Sequence, residues 1–274
     1  MIYNTGETMQ DLRNKYNPEG SLKRTIQLRL MDMLIYLNNV CKKIGVDYRL
    51  DSGMVLGAIR HGGFIPWDDD VDVAIDNYGD YERLCDYLKN HPHPQYVLQD
   101  DTTDKCHYKY WSTLRDLKSE YIHLDDGDDM LDRMLQYRGL QIDIFPFDKG
   151  VFRPIYLKYA ELNKKEKWAL LEQKYNKMRV IHSVRKYICN PILRNISRFC
   201  GNNHFIMYSY GLPFKYRDIP KDVIFPYCHV IFEGIEFPAP AKPDKYCEIM
   251  YGDYMNLPPV EERDGHNVTY RIWD

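Results

Sequence analysis

The chain has 274 residues, 44% of them apolar and 28% charged, and a formal net charge of −3. That length and apolar fraction allow one sizeable core with a helical annex. No stretch approaches the ~18 apolar residues of a membrane span, and the polar start MIYNTGETMQDLRNKYN lacks the apolar region of a secretory signal. The seven cysteines lie far apart without a Cys-x-x-Cys pair, which excludes a zinc signature and reads as reduced thiols of the cytoplasm. Charge is uneven: residues 151–200 hold 12 Lys and Arg against Glu161, Glu166 and Glu172, a local +9 that leaves −12 for the rest.

In chain order, residues 1–20 read as a loosely held arm ending in Asn17-Pro18-Glu19-Gly20, and residues 21–274 as one domain. Ser21 is placed to cap a helix running to about Lys43. Ile26, Leu30, Met33, Leu34, Leu37, Val40 and Cys41 form its apolar stripe, and Gly45 closes it. A short strand at Tyr48 to Leu50 leads into the turn Asp51-Ser52-Gly53, a short apolar helix and a Gly62-Gly63 break. Such a turn offers backbone N–H groups to a phosphate.

The next strand carries Asp70-Val71-Asp72-Val73. Side chains alternate with period two, so Asp70 and Asp72 share a face. Two adjacent carboxylates repel unless a cation lies between them, and hard oxygen donors suit Mg²⁺ or Mn²⁺. A solvated acidic surface is the plainer reading, but the interleaved Val-Val-Ala-Ile is the mark of a strand with a buried face. Asp68 and Asp69 are taken to shape the approach to this strand. Trp67 either stacks on a base or closes the core.

A helix is expected over Tyr78 to Asn90 and a strand over Tyr96 to Gln99. Strands at His107 to Arg115 and Tyr121 to Leu124 would form a meander, with turns at Leu117 to Glu120 and Asp125 to Asp129. In the strand Gly139 to Phe147, Asp143 stands between Ile142 and Ile144, costly if buried and unpaired. Either it caps something locally, or it joins the other two carboxylates at a metal from a neighbouring strand. Pro146 is expected to end that strand.

From residue 154 to about 200 the pattern is helical and basic, with apolar positions such as Leu157, Trp168, Leu171, Tyr175, Met178, Ile188 and Ile192. Two readings stay open for it: a solvated helical pair, or contact with an anionic membrane surface or polyanionic acceptor. Nucleic acid is disfavoured because no binding motif accompanies the charge. Val230 to Phe237 reads as a hairpin turning at Glu233-Gly234. Asp244 is placed to cap a helix over Lys245 to Tyr251, closed by Gly252. The tail LPPVEERDGHN is polar and irregular; Arg263 and His266 read as exposed residues within reach of a phosphate or as bystanders.

Three stretches together resemble the LicD family, which includes bacterial phosphocholine transferases and the animal fukutin and fukutin-related proteins. They are LDSGMVLGAIRHGGFIPWDDDVDVAI, QIDIFPFD, and YGDYMNLPP with a following Arg and His. The resemblance implies a nucleotidyltransferase-like α+β fold: a mixed sheet flanked by helices, with 154–200 as a basic insert. It maps Ser52 and Gly53 to donor phosphates, and Asp70, Asp72 and Asp143 to catalysis and metal. Arg60, His61, Trp67, Lys109 and Arg115 are further candidate substrate contacts.

The implied activity moves a phospho-alcohol (phosphocholine, ribitol phosphate or glycerol phosphate) from a CDP-linked donor to a sugar hydroxyl, with release of CMP. The acceptor would be a cell-surface glycan such as lipopolysaccharide, teichoic acid or capsule, free or lipid-linked. The setting implied is the cytoplasm or the inner face of the membrane. Transfer of a nucleoside monophosphate to a small molecule, RNA or protein uses the same acids. A non-catalytic glycan- or membrane-binding module is the third reading.

Overall fold

The computed structural model describes residues 3–124, 128–171, 175–202, 204–212, 217–263 and 265–273. The chain runs α1 (Met9–Tyr16), α2 (Leu22–Ile44), β1 (Arg49–Leu50), α3 (Ser52–His61), β2 (Asp72–Ile75), α4 (Tyr78–Asn90), β3 (Tyr96–Gln99), β4 (Ser112–Asp116), β5 (Ser119–His123) and α5 (Asp128–Met134). It continues through β6 (Gln141–Lys149), α6 (Arg153–Leu171), α7 (Tyr175–Val184), a π-helical turn (Arg185–Cys189), α8 (Asn190–Cys200), β7 (Phe205–Tyr208) and β8 (Ile219–Pro220). It ends with α9 (Lys221–Ile224), β9 (Cys228–Phe232), β10 (Ile235–Ala239), α10 (Pro243–Tyr251), a 3₁₀ turn (Val260–Glu262) and β11 (Val268–Ile272). The fold is a curled mixed sheet flanked by helices, as the α+β expectation has it.

The sheet runs β1-β2-β6-β4-β3, with β7 and then β8 continuing from β6. Among the described residues only β2 and β6 pair in parallel. Their Val and Ile side chains are fully buried, as a strand at the centre of a covered sheet requires. Helix α2 is capped by the Ser21 hydroxyl, which accepts the Arg24 N–H, and stopped by left-handed Gly45. Its expected stripe from Ile26 to Cys41 is buried, and α2 and α4 both pack against β6.

Four expectations change. The 1–20 arm holds α1, closed by a Thr8–Asp11 capping box, and buries Tyr3 and Leu12; one apolar residue per helical turn was too sparse to show as a stripe. The 107–124 meander does not form: β4 joins β3 and β6, while β5 pairs with the tail strand β11. Residues 107–111 stay outside the strand. Pro146 does not end β6, which runs on to Lys149 because the proline sits where the strand exchanges β4 for β7 as its antiparallel partner. Asp244 lies inside α10, whose cap position is Lys242.

The β9–β10 hairpin turns at Glu233 and Gly234, both at positive φ, the backbone that a two-residue turn demands. The turn expected at 125–129 falls largely outside the described residues, as do the side chains of Trp168, Leu171, Tyr175 and Met178. All seven cysteines are free thiols.

Candidate active site

Asp72 and Asp143 are register partners on the parallel strands β2 and β6. In-register neighbours on parallel strands point the same way, about 4.8 Å apart. The pairing reaches one residue further back, where the Asp143 N–H donates to the Val71 carbonyl at 3.0 Å. Asp70, Asp72 and Asp143 all line one cavity of about 400 Å³, with Ser52, Lys109, Trp111, Tyr208, Arg217, Tyr251 and His266 among the rest of its wall.

Electrostatics in the cavity follow from crowding. The Asp72 carboxyl is pushed well up by burial and then by Asp70, Asp143, Asp51 and Asp68. Among the described residues no hydrogen-bond donor or cation reaches that carboxylate. Burial, then Asp68, raises Asp70 to about 8, with His266 opposing; its side chain is 37% exposed to the cavity. Asp143 is better served: Thr113 Oγ1 donates to its Oδ1 at 2.9 Å, and Lys109 Nζ stands 3.7 Å away.

The tightest group of ligand atoms is Asp68, Asp70 and His266, all within 4.8 Å of one another, with Asp72 and Asp143 beside it. Asp68 therefore belongs with the cavity acids and not merely with the approach to the strand. It lies two residues before Asp70, ahead of β2, and its carboxylate comes within 4.8 Å of the ligand atoms of Asp70 and His266. His266 is exposed, as expected, but it is no bystander. Its Nδ1 meets Asp69 Oδ1 at 2.9 Å and its Nε2 meets Asp70 Oδ2 at 3.3 Å. The hydrogen bond to Asp69 is the main cause that lifts the imidazole to about 9. Asp69 faces away from the cavity, to Lys23 and His266. Burial opposes its charge, but those two hydrogen bonds outweigh it and hold the carboxyl low.

These residues fit a hard divalent cation. The donor set is carboxylate with one imidazole, and Asp72 is a half-buried carboxylate whose neighbours are themselves acids.

The start of α3 is fixed by a buried network. Arg49, with no exposed surface, bonds Asp51 and Asp76. Tyr246 and Tyr208 donate to the two oxygens of Asp51 at 2.6 and 2.8 Å. Ser52 is held in the left-handed region at φ 48°, a conformation that costs about 1–3 kcal/mol for a residue with a Cβ. Its N–H donates to Tyr246 Oη at 3.1 Å, and its Oγ contacts Tyr208 Oη at 3.1 Å. Ser52 lines the cavity, with its N–H engaged by Tyr246 and its hydroxyl donating to Asp51 Oδ2 at 3.1 Å. Gly53 leaves room for Asp68, whose Oδ2 would lie 3.1 Å from an added Cβ.

Arg60, His61, Trp67 and Arg115 lie outside the cavity wall. Arg60 is buried against the carbonyls of Tyr254 and Asn256. His61 contacts Tyr3 Oη, and burial, then Arg60, lowers its imidazole to about 3. Trp67 packs edge-on against Tyr16 and His61, with the Arg263 guanidinium over its ring. Arg115 is sealed between Gln99 and the Gly139 carbonyl. Arg263 is likewise buried, paired with Glu7. Sequence reading missed Tyr208, Arg217 and Tyr251; no periodic signal marks them, since they come from separate segments.

A curled mixed sheet whose parallel central strands bring acids to one cavity defines a nucleotidyltransferase-type α+β domain. The family model described as LicD/FKTN/FKRP, nucleotidyltransferase domain, matches residues 45–178. Residues 45–178, just under half of the chain, therefore carry that family's domain. The chain is 26% identical over 263 residues to the lipopolysaccharide cholinephosphotransferase LicD of Haemophilus influenzae, covering 89% of this chain and 96% of that one. It is 47% identical over 51 residues to the ribitol 5-phosphate transferases FKRP of mouse and human, 18% of this chain and 10% of each of those. These relatives are named as transferases of phosphate-containing groups.

Proposed function

We propose that the protein transfers a phospho-alcohol from a CDP-linked donor to a sugar hydroxyl of a cell-surface glycan, releasing CMP. The observation that carries this reading is the Asp72–Asp143 pair, side by side in the cavity with Asp70. The names of the relatives support the transferred group and the glycan acceptor.

Asp70, Asp72 and Asp143, with Asp68 and His266 at hand, would hold Mg²⁺ or Mn²⁺. A bound cation supplies charge neutralisation of the donor diphosphate. Lys109 and Arg217 bring positive charge to the cavity wall for the phosphates, and Trp111 and Tyr251 offer aromatic faces. Ser52 lines the cavity, and its hydroxyl would have to leave Asp51 Oδ2 to donate to a phosphate oxygen. The acceptor oxygen attacks the phosphorus that bears the alcohol, and one carboxylate of the set takes its proton. The bond from that phosphorus to the bridging oxygen breaks, and its electron pair leaves on CMP.

The test is CMP release from CDP-choline, CDP-ribitol and CDP-glycerol, each with Mg²⁺ present or chelated and with candidate glycans added. Turnover of one donor that stops on chelation is expected. No turnover of all three would end this reading, and a nucleoside monophosphate retained on the acceptor would replace it with nucleotidyl transfer.

A further inference from the structure

Helix α7, the π-helical turn and α8 form one unbroken helix over residues 175–200, about 39 Å long at 1.5 Å per residue. Its inward side is polar. Arg185 lies between the rings of Tyr110 and Tyr159, at 4.9 and 4.5 Å. Asn190 donates to the Tyr210 carbonyl, the Arg194 guanidinium sits 3.4 Å from the Tyr78 ring centroid, and Ser197 Oγ meets Tyr210 Oη at 2.7 Å. All four are buried.

Its outward side is apolar. Val184, Ile188, Ile192, Ile196 and Phe199 recur every three or four residues along one stripe, all exposed, Phe199 by 87%. Single exposed apolar residues are ordinary. Five in a row, opposite a buried polar face, invert the usual arrangement of a surface helix.

The same 26 residues contain no Asp or Glu; of their Lys and Arg, Arg185 and Arg194 are turned inward and Lys186 pairs with Asp101, while Arg179 and Arg198 are exposed. We infer that this outward stripe docks the protein on an anionic lipid bilayer, with α7–α8 lying in the plane of the interface. An apolar face that enters the headgroup layer from a basic helix is the arrangement such surfaces retain, and anionic lipid attracts a segment of that charge. A second copy of the chain laid on the same stripe would set basic helix against basic helix. No helix among the described residues is long and apolar enough to cross a membrane. This inference does not rest on the proposed chemistry, and its test uses no turnover.

The full chain is sedimented with phosphatidylcholine vesicles containing or lacking phosphatidylglycerol. Binding to the phosphatidylglycerol vesicles that falls with added salt is expected. The Ile192→Asp, Phe199→Asp double variant should lower partitioning at least ~10-fold with an unchanged circular dichroism spectrum. Phe199→Trp provides an independent readout, with added quenching by brominated lipid relative to the parent chain. Parent protein that stays in the supernatant, a double variant that binds equally well, or a Phe199→Trp variant without that added quenching would overturn the inference. So would a concentration-dependent dimer that the double variant abolishes without any vesicle binding.

Discussion

Replacing Asp72 by Asn should separate stability from activity. The folded state lifts the Asp72 carboxyl through burial and four neighbouring acids. A group with a raised folded pKa contributes stability that is fully present below its unfolded value near 3.9, and loses it as pH rises through the folded value. At neutral pH without a divalent cation, the ionised form is therefore a cost. Asn keeps the shape and removes the charge, so the variant should gain about 1–3 kcal/mol in chelator, at ~2–4 °C of Tm per kcal/mol for a chain of this size. Saturating Mg²⁺ should reverse the order: the parent gains about 2.7 kcal/mol at a hundredfold excess over Kd, and the variant much less. Turnover should fall at least ~100-fold. Thermal unfolding with and without Mg²⁺, beside CMP release, reads all three. A variant that is destabilised in chelator and takes the full Mg²⁺ increment would refute the assignment.

Asp148 is buried and bonded by Ser209, and burial lifts its carboxyl to about 6. The parent should lose stability from about pH 4 to above pH 6, by up to ~3 kcal/mol, and Asp148→Asn should flatten that slope in urea titrations. Trp67→Ala should cost about 3–5 kcal/mol and leave the donor KM of the folded fraction unchanged; a KM effect without a stability loss would restore Trp67 to the substrate. Gly139→Ala would place a Cβ 1.7 Å from the Asp116 carbonyl, so soluble expression should collapse. Lys109→Met should lower kcat/KM for the donor by about 10-fold or more with Tm nearly unchanged; an unaltered kcat/KM would remove Lys109 from the site.

Local signals in the sequence carried much of the frame. Helix α4 and strand β3 match their expected bounds, because amphipathic period and turn residues are written within each segment. The juxtaposition of Asp72 with Asp143 was legible only as a condition, that two apolar strands carrying acids be neighbours. The parallel register that meets it is a property of the assembled sheet. Arg60, His61 and Arg115 misled because charge in an apolar context reads equally as ligand contact or as a buried tether. Here carbonyls, a tyrosine hydroxyl and an amide take their donors. The arm and the tail were opaque for one shared reason: they hold each other. Glu7 pairs with Arg263, Asn4 accepts the Leu257 N–H, and β11 finds its partner in β5. None of these contacts has a period.

The three consecutive aspartates show how alternation and distant partners divide the labour. Asp68 and Asp70, of one parity with Asp72, face the ligand cluster, and burial, then the neighbouring acids, raises both carboxyls. Asp69 faces the other way and meets Lys23 from α2 and His266 from the tail. That middle carboxylate fixes His266, whose other nitrogen then reaches Asp70. The position that seemed out of register is the one that carries the tail into the site, and the helix after the arm supplies its counter-charge. Removing the Asp69 carboxylate would leave Lys23 and His266 without their shared anion, and the cavity would lose its histidine before it lost any of its acids.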